Sequence, residues 1–186
     1  MSAQTKLGRI AAVLALMIAA LATRVDAQVR NSGASPIALQ AVLSQSLSVT
    51  LSSSSVNFTL QAGNANNPGS VSVTAKTVWA LNNTIGLVSL YAFFANSTAA
   101  LTDGAGYNIP SSDFQISDNG GGFTALTGSA PFGGANAGLR LGTTFIFGNN
   151  VGSRTDAMTF NINLSGLPNL PPGTYTGTLT LQAQAI

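Results

Sequence analysis

A period-two alternation of apolar and polar residues near the start of the chain is the feature that most constrains its fold. Between residues 37 and 51, seven of the eight odd-numbered residues are apolar, and the even-numbered ones are mostly Gln, Ser and Thr. This period places successive side chains on opposite faces of a strand, whereas a helix needs apolar spacings of three and four. The segment is therefore predicted to be an extended strand with one buried face. Its apolar positions are Ile37, Leu39, Ala41, Leu43, Leu47, Val49 and Leu51.

The length of this alternating segment is unusual. Fifteen residues at about 3.4 Å each would span roughly 50 Å, whereas an ordinary strand has five or six residues. One interpretation, which we favour, is that the segment is the first strand of its own domain and bends between two sheets. The other is that residues 28–51 form an N-terminal extension that donates a strand to another copy, whose pockets receive the alternate side chains.

Similar alternation recurs along the rest of the chain, separated by residues that favour turns. The DNGGG segment, residues 118–122, separates two short alternating runs and predicts a hairpin. Further strands are predicted around residues 71–81, 87–94, 139–147, 158–164 and 175–185. About eight to ten short strands without a convincing helix predict an all-β fold, an antiparallel β-sandwich, with a closed barrel as the alternative.

The first 27 residues have the pattern of a removable export signal. Lys6 and Arg9 precede a run of 13 apolar residues, and the small-residue sequence Val25-Asp26-Ala27 follows. As a helix, 13 residues would span about 20 Å, which is short of the roughly 30 Å core of a bilayer. We therefore predict a signal peptide over residues 1–27, no stable membrane span after cleavage, and one domain over residues 28–186. The mature protein is expected to pass through the periplasm and to be secreted or held at the cell surface.

The charges that remain after residue 27 are few and balanced. After residue 27 the chain has four cationic residues and four aspartates, so its formal net charge is zero. The whole chain has no Glu, no His and no Cys. Four scattered cations do not form the clustered patch that nucleic-acid binding needs. A Ser–His–Asp triad and Cys-ligated metals are excluded, so we expect neither an enzyme nor a cofactor. A net charge near zero and edge strands almost without Lys favour self-association instead.

The last 17 residues, LPPGTYTGTLTLQAQAI, carry the most informative motif. The Pro-Pro-Gly turn precedes Tyr175, whose ring can be buried while its hydroxyl binds a nearby backbone group, as in the tyrosine corner of sandwich folds. This ending resembles the final strand of small secreted bacterial β-sandwiches of the spore coat protein U and pilin-like group. The motif also occurs in many bacterial immunoglobulin-like domains, so the resemblance implies an immunoglobulin-like sandwich.

The same resemblance implies a structural function. Members of that group are subunits of surface coats or fibres, often joined when a strand of one subunit completes the sheet of the next. The expected partners are further copies of this chain, as a homo-oligomer or polymer, together with an export chaperone. A secreted carbohydrate-binding module or an adhesin is the alternative function.

Two other features of the sequence have residue types that occur in ligand sites. Residues 103–108 form a Gly-rich loop with one carboxylate, whereas calcium usually takes six to eight oxygens from several acidic groups. Turn formation explains this loop equally well, so no metal site is predicted. The aromatic residues that could form a sugar platform lie on the apolar side of the alternating runs, where packing in the core is the default. They include Phe58, Trp79, Phe160 and Tyr175.

Overall fold

The computed structural model describes residues 35–82, 85–129, 131–148 and 150–186. Tertiary contacts divide the chain into two units, residues 1–42 and residues 43–186. Within the first unit, residues 35–42 lie outside any helix or strand and are exposed. The predicted signal peptide, residues 1–27, lies outside the described residues and stays a prediction.

Residues 43–186 consist of strands and turns wherever the structure describes them, apart from one 3-10 turn at Ser111–Asp113. The strands are β1 (Ser46–Leu51), β2 (Asn67–Pro68), β3 (Val73–Ala80), β4 (Ile85–Phe93), β5 (Leu101–Thr102), β6 (Asn108–Ile109), β7 (Phe114–Asp118), β8 (Thr124–Ala125), β9 (Gly138–Phe147), β10 (Val151–Ile162) and β11 (Thr180–Ala185). The described residues thus form eleven strands, one more than the predicted eight to ten, and four of them, β2, β5, β6 and β8, have only two residues each.

The strands form two main antiparallel sheets and one short pair. The larger sheet has the order β1-β3-β10-β7-β8, with β2 beside β10. The smaller sheet has the order β11-β4-β9, and β5 pairs with β6. The sheets pack face to face on one shared apolar core, so the predicted all-β sandwich is confirmed.

Alternating side chains explain why these segments form half-buried strands. In β3, Val73, Ala75, Thr77 and Trp79 are buried, and the residues between them face outward. The last part of β10 contributes Met158, Phe160 and Ile162 to the same interior. β-branched and aromatic residues suit such a pleated surface with one buried face. The predicted hairpin at residues 118–122 is also confirmed, because β7 pairs with β8 and Asn119 and Gly120 both have positive φ.

The predicted strand over residues 37–51 is wrong in its first part. β1 begins at Ser46, and residues 37–45 lie outside any strand. A period of two shows which side chains would share a face, but a strand also needs a neighbour to accept its backbone hydrogen bonds. Residues 46–51 have that neighbour in β3, with Ser46 opposite Ala80 and Leu51 opposite Ala75.

Candidate assembly groove

A groove opens between the two sheets where their edge strands diverge. β1 is the edge of the larger sheet, and β11 is the edge of the smaller one. At one end of these strands Leu47 and Ala185 pack on the same small cluster, which closes the seam between the sheets. At the other end, the chain after Leu51 and the chain before Thr180 enclose an open cavity of about 580 Å³. We call this cavity the assembly groove.

The floor of the assembly groove is the core of the sandwich itself. Core side chains from several strands line it, namely Val73, Leu101, Phe114, Phe160 and Ile162 together with Phe94 just after β4. Above them lie apolar residues that are only partly buried, namely Val56, Phe58, Leu60, Leu179 and Leu181. A cleft that leads from the surface into the main core is an apolar site without an occupant among the described residues.

The two walls of the groove are chain segments with little strand pairing. Residues 174–179 lead directly into β11, yet within the described structure they belong to no strand and make one bridge, between Thr176 and Thr102. Residues 52–60 continue from β1 in the same way and make one bridge, between Phe58 and Gly69. Such walls can offer backbone groups to an added strand.

The lining of the assembly groove carries no ionised group. Its polar residues are Ser, Thr and Asn, and its only titratable side chain among the described residues is Tyr175. Partial loss of hydration, followed by repulsion from Asp103, raises the pKa of Tyr175 above its ordinary value. The hydroxyl therefore stays protonated at neutral pH. An occupant of this groove would be apolar and uncharged at the positions that enter it.

Tyr175 has the hydrogen bond that the sequence suggested for it. Its hydroxyl donates to the carbonyl oxygen of Pro171 at 2.9 Å, and its ring is partly buried against the main core. Gly177, two residues later, lies so close to residues 100–101 that a side chain would collide with the Ala100 carbonyl oxygen. The motif GTYTGTLT therefore has a structural role, because Tyr175 and Gly177 hold one wall of the groove against the rest of the sandwich.

The residues proposed for strand donation fall into two separate sets. Leu47, Val49 and Leu51 belong to β1 and are therefore part of the sandwich. The other four residues, Ile37, Leu39, Ala41 and Leu43, are exposed and lie outside any strand; the exposed fractions of Ile37, Leu39 and Leu43 are 82%, 91% and 85%. We call residues 37–43 the apolar tail. Apolar side chains at every second position have the pattern of a strand with one buried face, yet in this segment they are exposed to solvent.

A buried charge cluster lies inside the sandwich and was not identified from the sequence. The Arg154 guanidinium donates through Nε to Oδ1 of Asp156 at 2.8 Å, and Asn119 Nδ2 donates to the same oxygen at 3.1 Å. Asp118 Oδ2 lies 3.8 Å from Arg154 Nη2. Burial, followed by repulsion from Asp156, raises the pKa of Asp118 above its usual value although Arg154 opposes this.

The sequence does contain a signal for this cluster. Arg154 and Asp156 have the same parity as Met158 and Phe160, which places both charges on the core side of β10. The guanidinium fits there because Gly142 faces it from β9, where a Cβ would collide with it. Along β10 the cluster lies between Gly152, which contacts Trp79 of the small apolar cluster, and Met158 of the main core.

The other candidate ligand sites have structural explanations. Trp79 and Phe160 are buried in the core, so they form no sugar platform. In the loop after β5, Asp103 Oδ1 accepts hydrogen bonds from the backbone N–H groups of Ala105 and Tyr107, at 2.8 and 2.9 Å. One carboxylate oxygen is thus used to hold the turn, as is common for Asp in tight turns.

Comparison of the chain with protein-family models and with curated proteins finds no match. In the part of the chain that the structure describes, no helix has the length and apolarity required to cross a bilayer.

Proposed function

We propose that this protein is an exported structural subunit of a bacterial extracellular coat or pilus-like fibre. In this proposal, the apolar tail of one copy adds a strand in the assembly groove of the next. One observation carries the proposal, namely that the same chain has an exposed alternating apolar segment and an open groove over its core. The proposal makes further copies of the chain the main partners.

The tail and the groove match in length and chemistry. The apolar tail has seven residues, and the wall of the groove at residues 174–179 has six, so a strand formed by the tail would be long enough to cover it. The alternate residues Ile37, Leu39, Ala41 and Leu43 would enter the groove, and the residues between them would face outward. Neither the tail nor the groove lining carries a charge that would have to be desolvated.

Burial of the tail's apolar side chains is the main contribution expected to favour this association. Burying one large aliphatic side chain contributes about 1.5–3 kcal/mol, and the tail has three such residues at the alternating positions. Backbone hydrogen bonds to the added strand contribute further. Ordering the tail and losing translational freedom oppose association, so only the surplus appears as affinity.

A pair of adjacent substitutions in the tail tests the proposal. Leu39→Asp would place a carboxylate in the groove, and we expect association between copies to weaken at least a hundredfold. Gln40→Asp is the matched control, because residue 40 has the opposite parity and its charge would face solvent. Electron microscopy and size-exclusion chromatography of the mature protein at several concentrations measure the outcome. A wild-type protein that stays monomeric at all concentrations would contradict strand donation. Equal polymerisation of the Leu39→Asp and Gln40→Asp variants would also contradict it.

The alternative function predicts a different result in the same experiment. A monodisperse mature protein that binds insoluble polysaccharide would favour a carbohydrate-binding module or an adhesin. A dependence of assembly on protein concentration distinguishes donation between copies from the use of the tail within one copy.

Deletion of residues 28–44 should leave a folded monomer that no longer polymerises, because β1 and the rest of the sandwich remain.

A further inference from the structure

An exposed apolar patch covers the outer face of the smaller sheet at one end. Ile85 lies opposite Phe147 on neighbouring strands, and Leu87 lies opposite Phe145. The two phenylalanine rings are stacked, with centroids 6.5 Å apart. We call Ile85, Leu87, Phe145, Phe147 and Ile186 the end patch. The exposed fractions of Ile85, Phe145, Phe147 and Ile186 are 63%, 62%, 75% and 68%.

The area of the end patch limits what it can bind by itself. If a whole side chain of this size exposes about 200 Å², these four residues leave about 500 Å² of apolar surface open to water. This area is at the upper end of what monomers expose, which indicates an interaction surface. It is below the roughly 800 Å² that each partner of a stable complex usually buries. The patch therefore suits a contact that other interactions support.

The end patch lies at the end of the sandwich where β1 begins. Leu47 in β1 belongs to the small cluster of Trp79, Val88, Ile146 and Ala185. Three members of that cluster are direct chain neighbours of patch residues, because Val88 follows Leu87, Ile146 lies between Phe145 and Phe147, and Ala185 precedes Ile186. The patch is thus the outer side of the same strands whose inner side packs near Leu47.

Chain connectivity places a second copy close to this end. Only Ser44 and Gln45 separate Leu43 from the start of β1. The three steps from Leu43 to Ser46 reach at most about 11 Å, so in the proposed assembly a copy that accepts the tail up to Leu43 lies close to the end of the sandwich at which β1 begins. A tethered neighbour has a high effective concentration, which makes a small apolar contact sufficient.

We infer that the end patch packs against the body of the neighbouring copy that accepts the tail, and so fixes the angle between successive subunits. This inference rests on the proposed function. It adds a second contact to the donated strand, and this contact contributes stiffness to the fibre. The tail variants remove the first contact, and patch variants remove the second.

Thiol labelling tests the inference, because the chain has no cysteine of its own. Phe147→Cys places a single thiol in the patch, and Phe123→Cys is the matched control, since Phe123 is 48% exposed in the loop before β8. We expect a maleimide to react with the thiol at residue 147 at least tenfold more slowly in fibres than in monomers. At residue 123 the two rates should be equal.

The possible outcomes separate this inference from the proposed function. Fibres in which residue 147 reacts as fast as in the monomer would overturn the contact and leave strand donation standing. A wild-type protein that never assembles would overturn both.

Phe147→Ser provides a second measurement that needs no label. Its fibres should form but have at least a twofold shorter persistence length in electron micrographs. Sedimentation of wild-type monomers with phosphatidylcholine vesicles, lost in Phe147→Ser, would assign the patch to a lipid surface instead and overturn the contact.

Discussion

At the scale of single residues, the most unusual feature is an ion pair inside a chain that has few charges. Arg154 and Asp156 occupy core positions of β10, and the carboxylate of Asp156 is completely buried. A buried pair is weak evidence for stability, because both ions lose their hydration. Removing one partner alone is costly, because the other charge is then left without its counterion in the interior.

We predict that Asp156→Ala lowers the free energy of unfolding by about 3 kcal/mol. The Arg154 guanidinium would keep only the more distant Asp118, at 3.8 Å. The double variant Arg154→Met, Asp156→Leu is the control, because it removes both charges and should lose less stability than the single variant. Urea unfolding of monomeric protein measures both. A double variant that is less stable than Asp156→Ala would show that the pair itself stabilises the fold.

At the scale of elements, buried asparagines hold the irregular chain before β2 against β10. Asn67 Nδ2 donates to the Ile162 and Asn64 carbonyl oxygens, at 2.8 and 2.9 Å, and its Oδ1 accepts from the Gln61 N–H at 2.7 Å. Asn161 Oδ1 in turn accepts the backbone N–H of Asn67 at 2.8 Å. The network also supports one wall of the assembly groove, because Leu60, which lines that wall, directly precedes Gln61.

We predict that Asn67→Ala destabilises the protein by about 3 kcal/mol, since several buried polar groups lose their partners together. Asn66→Ala is the matched control, because residue 66 is exposed, and it should change stability by less than about 0.5 kcal/mol. Thermal and denaturant unfolding of the monomer report both values. Similar stabilities for the two variants would contradict a structural role for this network.

At the scale of the whole molecule, the sandwich is closed at one end and open to its core at the other. A ligand that binds only the folded state stabilises it by mass action, by about 2.7 kcal/mol at a hundredfold excess over its dissociation constant. A synthetic peptide with the sequence of residues 35–45 has the apolar pattern that the groove would accept.

We therefore predict that this peptide raises the Tm of a variant without residues 28–44, and that the rise grows with peptide concentration. A peptide carrying the Leu39→Asp change should have no effect at the same concentrations, because its carboxylate would have to enter an apolar groove. Differential scanning calorimetry measures the shift. A Tm that does not respond to the unchanged peptide would argue against the groove as a site for an added strand.

The amino-acid sequence predicts the class of the fold correctly, because period-two alternation with turn residues between the runs is a local property of the chain. It placed the hairpin at Asp118–Gly122 correctly, since Asn-Gly favours the positive φ values found there. The alternation over residues 37–51 shows which side chains would share a face of a strand, but it does not show that strand pairing begins only at Ser46.

Which of the alternating residues have a strand partner becomes visible only in the folded chain. Ser46–Leu51 pairs with β3, while residues 37–43 remain exposed, although both segments follow the same pattern. Strand pairing depends on a second segment that is distant in sequence, so no local pattern can show it. The groove, the end patch and the placement of Gly142 beside Arg154 are likewise products of how distant strands meet. Their shape and burial come from packing between the sheets, which the order of residues along one strand does not contain.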